Sequence, residues 1–353
     1  MELSFILDYL IISIIASIAV NLVLRNYAKH NKNLVDIPDR SRKFHKRPTP
    51  VTGGLAILVS LLISSKLYVD LNNLNGYVPE FTYYLMLTSI PLLALFLIDD
   101  MRGLKPIHRL LIQIALSLFI IKTTNVYLHN LGDLFGFGDV NLGVLGIPIT
   151  LFCIVGVMNA FNMIDGVNGL CSGCAMVSMI LIGFYSGLVY DSMLILLIGS
   201  IIGFLIFNLR FFGEKRGVFL GDSGSNLIGF WVAWISIYAS QNTLYNIFPI
   251  TLIWFAAIPL LDCIGLIFTR ALKHNNILSP GRDHIHHKLL NKYSPDSTLK
   301  IIIAFSFLTG FFGIILNNNF PSYISTYCFI LYAFVYYLYA YYFVITESKP
   351  KNV

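Results

Sequence analysis

Two adjacent acids, Asp99 and Asp100, end an apolar run and are the first residues in the chain whose types and spacing could do chemistry. Neighbouring carboxylates repel each other, and a bound divalent cation or a shared proton relieves that repulsion. Acids at the edge of a long apolar segment are costly and usually functional. We therefore predict a functional role for both. The alternative is a solvated helix end with Arg102 and Lys105 as partners.

A second polar cluster, residues 159–170, lies between two long apolar segments. Its polar residues recur at a spacing of three and would share one face if the stretch were helical. They are Asn159, Asn162, Asp165 and Asn168. Gly166 and Gly169 would let another backbone approach closely. The alternative is an interhelical hydrogen-bonding seam, which Asp165 makes weaker because an ionised acid needs a stronger partner than amides.

A third cluster, residues 219–226, reads Phe-Leu-Gly-Asp-Ser-Gly-Ser-Asn and precedes another apolar run. A glycine-rich turn at the start of a helix presents free N–H groups, which favour phosphate. Asp222 is placed where it could hold a magnesium ion bound to that phosphate. An ordinary N-cap, with the glycines as turn residues, explains the pattern equally well.

The fourth cluster, residues 280–287, contains three histidines within four positions. Zinc is disfavoured because the spacing does not suit a helical pair of ligands and no cysteine is near. Arg282 beside the histidines favours an anion site, since guanidinium and imidazole groups donate to phosphate. A structural hydrogen-bonding loop is the alternative. The histidines are His284, His286 and His287.

Two further features stand apart from these clusters. Lys46 and Arg47 precede a Pro/Gly-rich break. A membrane anchor explains their charges but not the neighbouring Thr49 and Thr52. Asp262 lies within an apolar run, and the sequence assigns it no definite role.

The elements that position these clusters are apolar helices. The 353 residues are 56% hydrophobic and 12% charged, where a soluble domain would carry about 25% charged residues. Continuous apolar runs near membrane-spanning length predict one all-α polytopic membrane domain with about eleven transmembrane helices, rather than a β-barrel. The predicted spans lie near residues 5–24, 50–68, 81–98, 108–127, 145–161, 171–189, 192–208, 224–240, 247–269, 301–316 and 323–345.

The basic residues predict the orientation of these spans. If loop 25–49 faces the cytoplasm, every lysine and arginine except Lys66 and Lys122 falls on that side. This bias predicts an external N-terminus and a cytoplasmic C-terminus. The net charge of +6 is then a product of topology and of attraction to anionic lipids, not a nucleic-acid signature. The polar clusters fall on the cytoplasmic side, where we expect the active site.

The order and chemistry of the clusters resemble those of the polyprenyl-phosphate N-acetylhexosamine-1-phosphate transferase superfamily. The resemblance runs from Asp-Ile-Pro-Asp at 36–39 to about the tenth span. Residues 159–166 and 221–225 match it closely. The His-Ile-His-His loop and Ile-Pro-Leu-Leu-Asp at 258–262 point to the bacterial undecaprenyl-phosphate α-N-acetylglucosaminyl 1-phosphate transferase branch.

The resemblance implies a reaction of UDP-GlcNAc with undecaprenyl phosphate, giving GlcNAc-diphosphoundecaprenol and UMP. It implies a Mg²⁺ or Mn²⁺ cofactor and a place in the bacterial cytoplasmic (inner) membrane, at the start of O-antigen, common-antigen or wall-polymer synthesis. A homo-oligomer is compatible with it. Other UDP-N-acetylhexosamine donors stay open. A polytopic transporter or lipid flippase is the less favoured alternative, since it should show internal repeats that the sequence lacks.

The resemblance also implies roles for individual residues. Asp99 and Asp100 would orient or deprotonate the lipid phosphate, and Asp165 would join them in catalysis. Asp222 with Asn162 or Asp165 would hold the metal. The expected substrate-binding residues are Asn168 for uracil, Arg282, His284, His286 and His287 for the diphosphate or sugar, and the basic pair Lys46 and Arg47.

Two positions depart from the family pattern. Members often carry a third Asp at the position of Gly103, so any role of that acid must be dispensable or met elsewhere. Bacterial members often carry Asp at the position of Asn168. An amide there is compatible with a contact to uracil and makes metal binding by this residue less favourable.

Overall fold

The computed structural model describes residues 3–31, 34–38, 47–71, 79–187, 191–245, 247–272 and 284–347. Within these residues the chain forms thirteen α-helices and one pair of short strands. The helices are α1 Leu3–Asn31, α2 Gly53–Leu71, α3 Glu80–Arg102, α4 Pro106–Thr124, α5 Gly146–Ile164, α6 Leu170–Ser186, α7 Ser192–Asn208, α8 Gly221–Gln241, α9 Pro249–Phe255, α10 Ala257–Leu272, α11 Ile285–Leu290, α12 Pro295–Asn319 and α13 Ser322–Glu347. The strands are β1 Val35–Asp36 and β2 Thr49–Pro50.

Six described helices are long and apolar enough to cross a membrane, or seven if the bent pair α9 and α10 counts as one span. They are α1 to α5, α12 and that pair, while α6 and α7 are shorter apolar helices. Large apolar side chains such as Ile15, Val23 and Leu308 are exposed on the outside of the bundle, as contact with lipid requires. The chain is therefore an all-α polytopic membrane protein, and each predicted span overlaps helix among the described residues.

Helix α8 forms the centre of the bundle and packs against α2, α3, α5, α6 and α9. Its side chains are buried along nearly its whole length, Trp231 and Trp234 among them. The indole N–H of Trp231 donates to Ser89 of α3 over 2.8 Å. This hydrogen bond satisfies the N–H group, for which lipid or apolar side chains offer no acceptor. The first residues of α8 are thereby fixed relative to the surrounding helices.

Small residues allow the closest helix contacts. A Cβ added at Gly54 of α2 would lie 2.5 Å from the backbone of Gly224 in α8, so only glycine permits this approach. A Cβ added at Gly229 of α8 would lie 2.8 Å from the backbone of α5 at Met158. In a membrane the hydrophobic effect does not drive helices together, because lipid is as apolar as their side chains. Van der Waals contacts of this kind hold the helices together instead.

The predicted span 247–269 is two helices rather than one. Helices α9 and α10 meet at an angle of 85°, with the break at Ala256. The break frees the carbonyl of Phe255, and the hydroxyl of Ser178 donates to it over 2.8 Å. A neighbouring serine therefore satisfies the freed backbone group, which is how broken helices are tolerated at membrane depth.

The short strands connect the first loop to the start of α8. β1 pairs antiparallel with β2, with Val35 opposite Pro50. The chain then continues alongside residues 219 and 220: Phe219 N donates to Pro50 O over 2.8 Å, and Gly53 N donates to Phe219 O over 3.0 Å. The loop between α1 and α2 is thus tied to the residues that precede Asp222.

The contact between Gly54 and Gly224 predicts a large effect of substitution. Gly54→Val should lower the free energy of unfolding by about 1–3 kcal/mol or more, because the added side chain must displace a backbone. Gly156→Val is the matched control, since a Cβ at Gly156 meets nothing within 4 Å. Thermal unfolding of the purified proteins in detergent measures the difference, and equal shifts in the two variants would contradict it.

Candidate active site

The two adjacent acids, Asp99 and Asp100, contact different parts of the chain. Asp99 is buried and pairs with Arg109 over 2.9 Å, and it also accepts from Leu104 N over 2.5 Å. Asp100 is exposed and accepts from the backbone amides of Asp222 and Ser223 over 3.0 and 3.1 Å. Asp99 therefore fixes the corner between α3 and α4, while Asp100 connects α3 to the start of α8.

The glycine-rich turn begins α8, as predicted, but its first amides already have a partner. Two N–H groups that sequence reasoning offered to phosphate donate to the Asp100 carboxylate. Gly221 has φ +76°, and a Cβ there would meet Val51 and lie 3.0 Å from Asp100 Oδ2. Glycine is required at this position because both the backbone conformation and the space exclude a side chain.

The second cluster begins in a helix but does not continue in one. Helix α5 ends at Ile164, and Asp165 is its C-cap with φ −74° and ψ 54°. The prediction of one shared helical face therefore holds for Asn159 and Asn162 but is wrong for Asn168, which lies in the turn before α6. Glycines in that turn allow the chain to leave the helix.

Asn162 lies against the start of α8. Its side-chain oxygen accepts from Ser225 Oγ over 2.6 Å. Asn159 is exposed, and its amide donates to the carbonyl of Val155 in its own helix. Asn168 is partly buried beyond the helix. Among the described residues, Asn162 is the one of the three predicted amides whose side chain contacts the Asp222 turn.

Three carboxylates from separate parts of the chain interact electrostatically. Asp165 is partly buried, and its burial together with the charges of Asp222 and Asp100 raises its pKa to about 8. The negative charge of Asp99 also acts on Asp222. Three mutually repelling carboxylates, with the oxygen of Asn162 beside them, have the donor chemistry of a Mg²⁺ or Mn²⁺ site. The residues present therefore fit a hard divalent cation.

The histidine loop adjoins the turn after Asp165. A Cβ on Gly166 would clash with the imidazole of His286, so this glycine lets a side chain approach, where sequence reasoning expected a backbone. The rings of His286 and His287 lie 4.1 Å apart, centre to centre. His286 is buried, and neither of its ring nitrogens has a hydrogen-bond partner among the described residues. His286 thus borders the acid cluster.

His284 has a partner that the sequence did not reveal. Its Nδ1 lies 2.7 Å from the carboxylate of Asp262, which also accepts from Ile285 N over 2.8 Å. Asp262, His284 and His286 are all buried. Each offers one side-chain nitrogen or oxygen atom that could bind a metal ion, and these three atoms lie within 4.8 Å of one another. An acid inside an apolar helix was a sign in the sequence that Asp262 has a function. The sequence did not show its partner, because Asp262 and His284 are 22 positions apart.

A basic groove lies at the loop between α7 and α8. Its volume is about 560 Å³ and it is lined by Arg47 and residues 211–216, which include Lys215 and Arg216. Arg25 of α1 donates to the carbonyl of Lys215 over 2.7 Å and so fixes the loop that forms the groove. Arg47 is thus placed near other cations, while the predicted binding residues Lys46 and Arg282 lie outside the described residues.

Sequence reasoning also missed two supporting contacts. Arg109, one turn into α4, is the partner of Asp99. Gln113, one turn further along α4, donates to Asn226 of α8 over 3.3 Å. Both residues lie on one face of α4, at the spacing of four that places side chains together. The spacing of four could have indicated that Arg109 and Gln113 lie side by side. The neighbouring sequence did not identify Asp99 and Asn226 as their partners.

The chain is similar to known proteins over most of its length. A family model described as glycosyl transferase family 4 matches residues 82–240, which include the three carboxylates. Undecaprenyl-phosphate alpha-N-acetylglucosaminyl 1-phosphate transferase of Escherichia coli O157:H7 is 34% identical over 263 residues, or 73% of this chain and 69% of that protein. The proteins of the same name from Yersinia pestis and Haemophilus influenzae are each 33% identical, over 73% and 77% of this chain and 69% and 76% of their own lengths.

Fold and site together define a membrane-embedded transferase that handles anionic groups. The chain belongs to glycosyl transferase family 4, alongside the polyprenyl-phosphate N-acetylhexosamine-1-phosphate transferases. The resemblance read from the motifs is therefore confirmed.

The raised pKa of Asp165 predicts a pH dependence of stability. The folded protein holds this proton with a pKa of about 8, against an ordinary value of 3.8. The folded state therefore binds more protons than the unfolded chain, and stability in EDTA should fall as pH rises from about 4 to about 8. Asp165→Asn should flatten this slope. Thermal unfolding across that interval tests it, and parallel slopes for the two proteins would contradict it.

Proposed function

We propose that this protein transfers GlcNAc-1-phosphate from UDP-GlcNAc to undecaprenyl phosphate, giving GlcNAc-diphosphoundecaprenol and UMP. The observation that carries the proposal is the convergence of Asp100, Asp165 and Asp222, from three separated segments, in a chain about one-third identical to proteins named for this activity. Both substrates are anions, so the reaction requires neutralisation of charge and alignment of the attacking and leaving oxygens.

The cofactor we propose is Mg²⁺ or Mn²⁺, held by Asp222 with Asn162 or Asp165. Such an ion, when bound, neutralises diphosphate charge. The support for it is the electrostatic coupling of Asp165 to Asp222 and Asp100, a grouping that is unfavourable unless a cation or protons compensate it. Asp100 keeps the turn in place through its two hydrogen bonds to the first amides of α8.

The lipid phosphate needs little help to ionise, since the second pKa of a phosphate monoester is near 6. We therefore propose that Asp99 and Asp100 act mainly by orientation. The pairing of Asp99 with Arg109 supports this role for Asp99. For Asp165, which is partly buried beside the other acids, we propose a catalytic role or a share in holding the cation.

The nucleotide and sugar would bind around the second and fourth clusters. We propose that Asn168 contacts uracil and that His284, His286 and His287, with Arg282, hold the diphosphate or the sugar. The contact of His286 with Gly166 supports a shared site, because it joins the two clusters. Lys46 and Arg47 would add attraction for anionic substrates, and the basic groove that Arg47 lines supports this role.

We further propose eleven spans, an external N-terminus, a cytoplasmic C-terminus and an active site facing the cytoplasm. The support is that the clusters lie where α2 and α8 begin and where α3 and α5 end, which is one end of the bundle. The basic residues concentrate at the same end, as cytoplasmic segments require. The membrane would be the bacterial inner membrane, and the product would start O-antigen, common-antigen or wall-polymer synthesis. A homo-oligomer is compatible with this role.

The activity is tested with purified protein, undecaprenyl phosphate and a panel of UDP-N-acetylhexosamines, following UMP and the lipid product. UDP-GlcNAc should be used best. Asp222→Ala and Asp100→Asn should each lower turnover by about 100-fold or more, because each removes charge or anchoring at the site of reaction. Normal turnover in Asp222→Ala would remove this residue from the metal site. Asp139→Asn, an exposed acid outside the clusters, is the control and should keep native activity.

Cation binding is tested separately from activity. Mn²⁺ should raise the unfolding temperature of the native protein over its value in EDTA, because a ligand that binds the folded state stabilises it. Asp165→Asn and Asp222→Ala should lose most of this increase, whereas Asp139→Asn should keep it. An equal increase in all four proteins would mean that Mn²⁺ binds elsewhere.

A further inference from the structure

Asp262 is a buried carboxylate with partners from three elements. It lies in α10 and is 5% exposed. One of its oxygens contacts Nδ1 of His284, and the other accepts from Ile285 N at the start of α11. The hydroxyl of Tyr336 in α13 also reaches it. The carboxylate therefore joins the histidine loop to two helices of the bundle.

Stability alone is a weak reason to bury such a group. A buried carboxylate loses its hydration, and an ion pair or hydrogen bond to histidine offsets this cost only in good geometry. An apolar side chain in α10 would avoid the cost. Asp262 instead orients its partners. An ionised carboxylate only accepts hydrogen bonds, so the groups that contact it must present an N–H or O–H to it.

The contact determines which nitrogen of His284 carries a proton. Nδ1 faces a carboxylate over 2.7 Å, so it must be the N–H donor. Nε2 lies across the ring and is directed away from Asp262. The ring of His284 stacks at 5.2 Å on that of His286, which contacts Gly166 beside Asp165. Nε2 is thus the nitrogen available to a substrate.

We propose that Asp262 is a positioning residue of this transferase, which keeps the proton of His284 on Nδ1 and presents Nε2 to the substrate. The inference rests on the proposed function, because it assumes that the histidine loop contacts a substrate of the transfer reaction. It extends that function to a residue outside the acid cluster. Asp262 itself does not touch the substrate.

The test variant is Asp262→Asn, whose orientation the structure fixes. Ile285 N needs an acceptor, so the amide oxygen must occupy that position. The NH₂ group then faces Nδ1 of His284 and donates to it. This forces the opposite tautomer, with the proton on Nε2, while the size of the side chain and the contact with Ile285 stay the same.

Asp262→Asn should lower kcat by between about tenfold and 10⁴-fold, the range seen when a histidine loses its orienting carboxylate. In a protein that already carries His284→Gln, Asp262→Asn should have little further effect, because both changes remove the same function. Additive losses would mean that Asp262 acts through the structure of the loop and would overturn the proposal.

A spectroscopic readout does not depend on activity. Protein labelled with ¹⁵N-histidine should give a signal for His284, identified by its loss in His284→Gln, with the proton on Nδ1. Asp262→Asn should move that proton to Nε2. A native tautomer in the variant would overturn the proposal, as would a shift showing Nδ1 bound to a metal ion.

The matched control is Asp191→Asn. Asp191 is likewise a carboxylate that accepts from helix-start amides, those of Met193 and Leu194, but it contacts none of the clusters among the described residues. Asparagine caps helices as well as aspartate does, so this variant should keep native kcat and stability. A similar loss of kcat in both variants would mark the effect as general destabilisation.

Failure of this proposal is distinguishable from failure of the proposed function. If the native protein releases no UMP from any donor while Asp262→Asn still inverts the tautomer, the transferase assignment fails and the orienting contact stands. If the native protein is active and Asp262→Asn keeps both its kcat and its tautomer, the positioning role fails and the transferase assignment stands.

Discussion

The end of the bundle that carries the candidate active site depends on the two hydrogen bonds from the start of α8 to Asp100. Helix α8 is the central helix, and its first amides carry the positive end of the helix dipole. The carboxylate at the end of α3 accepts from the amides of Asp222 and Ser223, so the helix start is satisfied from within the chain. This contact also sets the direction in which Asp222 leaves the backbone. Asp100 and Asp222 are therefore brought together because Asp100 caps the start of α8.

The same contact makes the site electrostatically unbalanced. It brings Asp100 beside Asp222, and the end of α5 adds Asp165 to the group. Arg109, the cation whose charge acts on Asp222, is already paired with Asp99. Carboxylates grouped in this way raise one another's proton affinity and attract divalent cations. The chain maintains this unfavourable arrangement through packing elsewhere, such as the contact of Gly54 with Gly224.

The sequence was sufficient for the helices and for most of the clusters, because both depend on local composition. Apolar runs predicted where the helices lie, and the glycines at 166 and 221 predicted turns that the structure contains. The break at Ala256 was not predicted, although Pro259 has no N–H to donate to the carbonyl of Phe255; Ser178, 77 positions away, satisfies that carbonyl instead. The position of Asn168 was wrong because a spacing of three suggests a helix even where two glycines end it. The partnership of Asp262 with His284 required the fold.

The dependence of the histidine loop on Asp262 has a consequence for the order in which the protein is made. Asp100, Asp165 and Asp222 all precede residue 240, so a growing chain has these acids well before the histidines emerge. His284 is held by Asp262, and Asp262 in turn is reached by the hydroxyl of Tyr336, which belongs to α13. The contact of Asp262 with His284 is therefore complete in its surroundings only when α13 has been made. A chain cut short before α13 would carry its acids but lack part of the shell that holds its histidine.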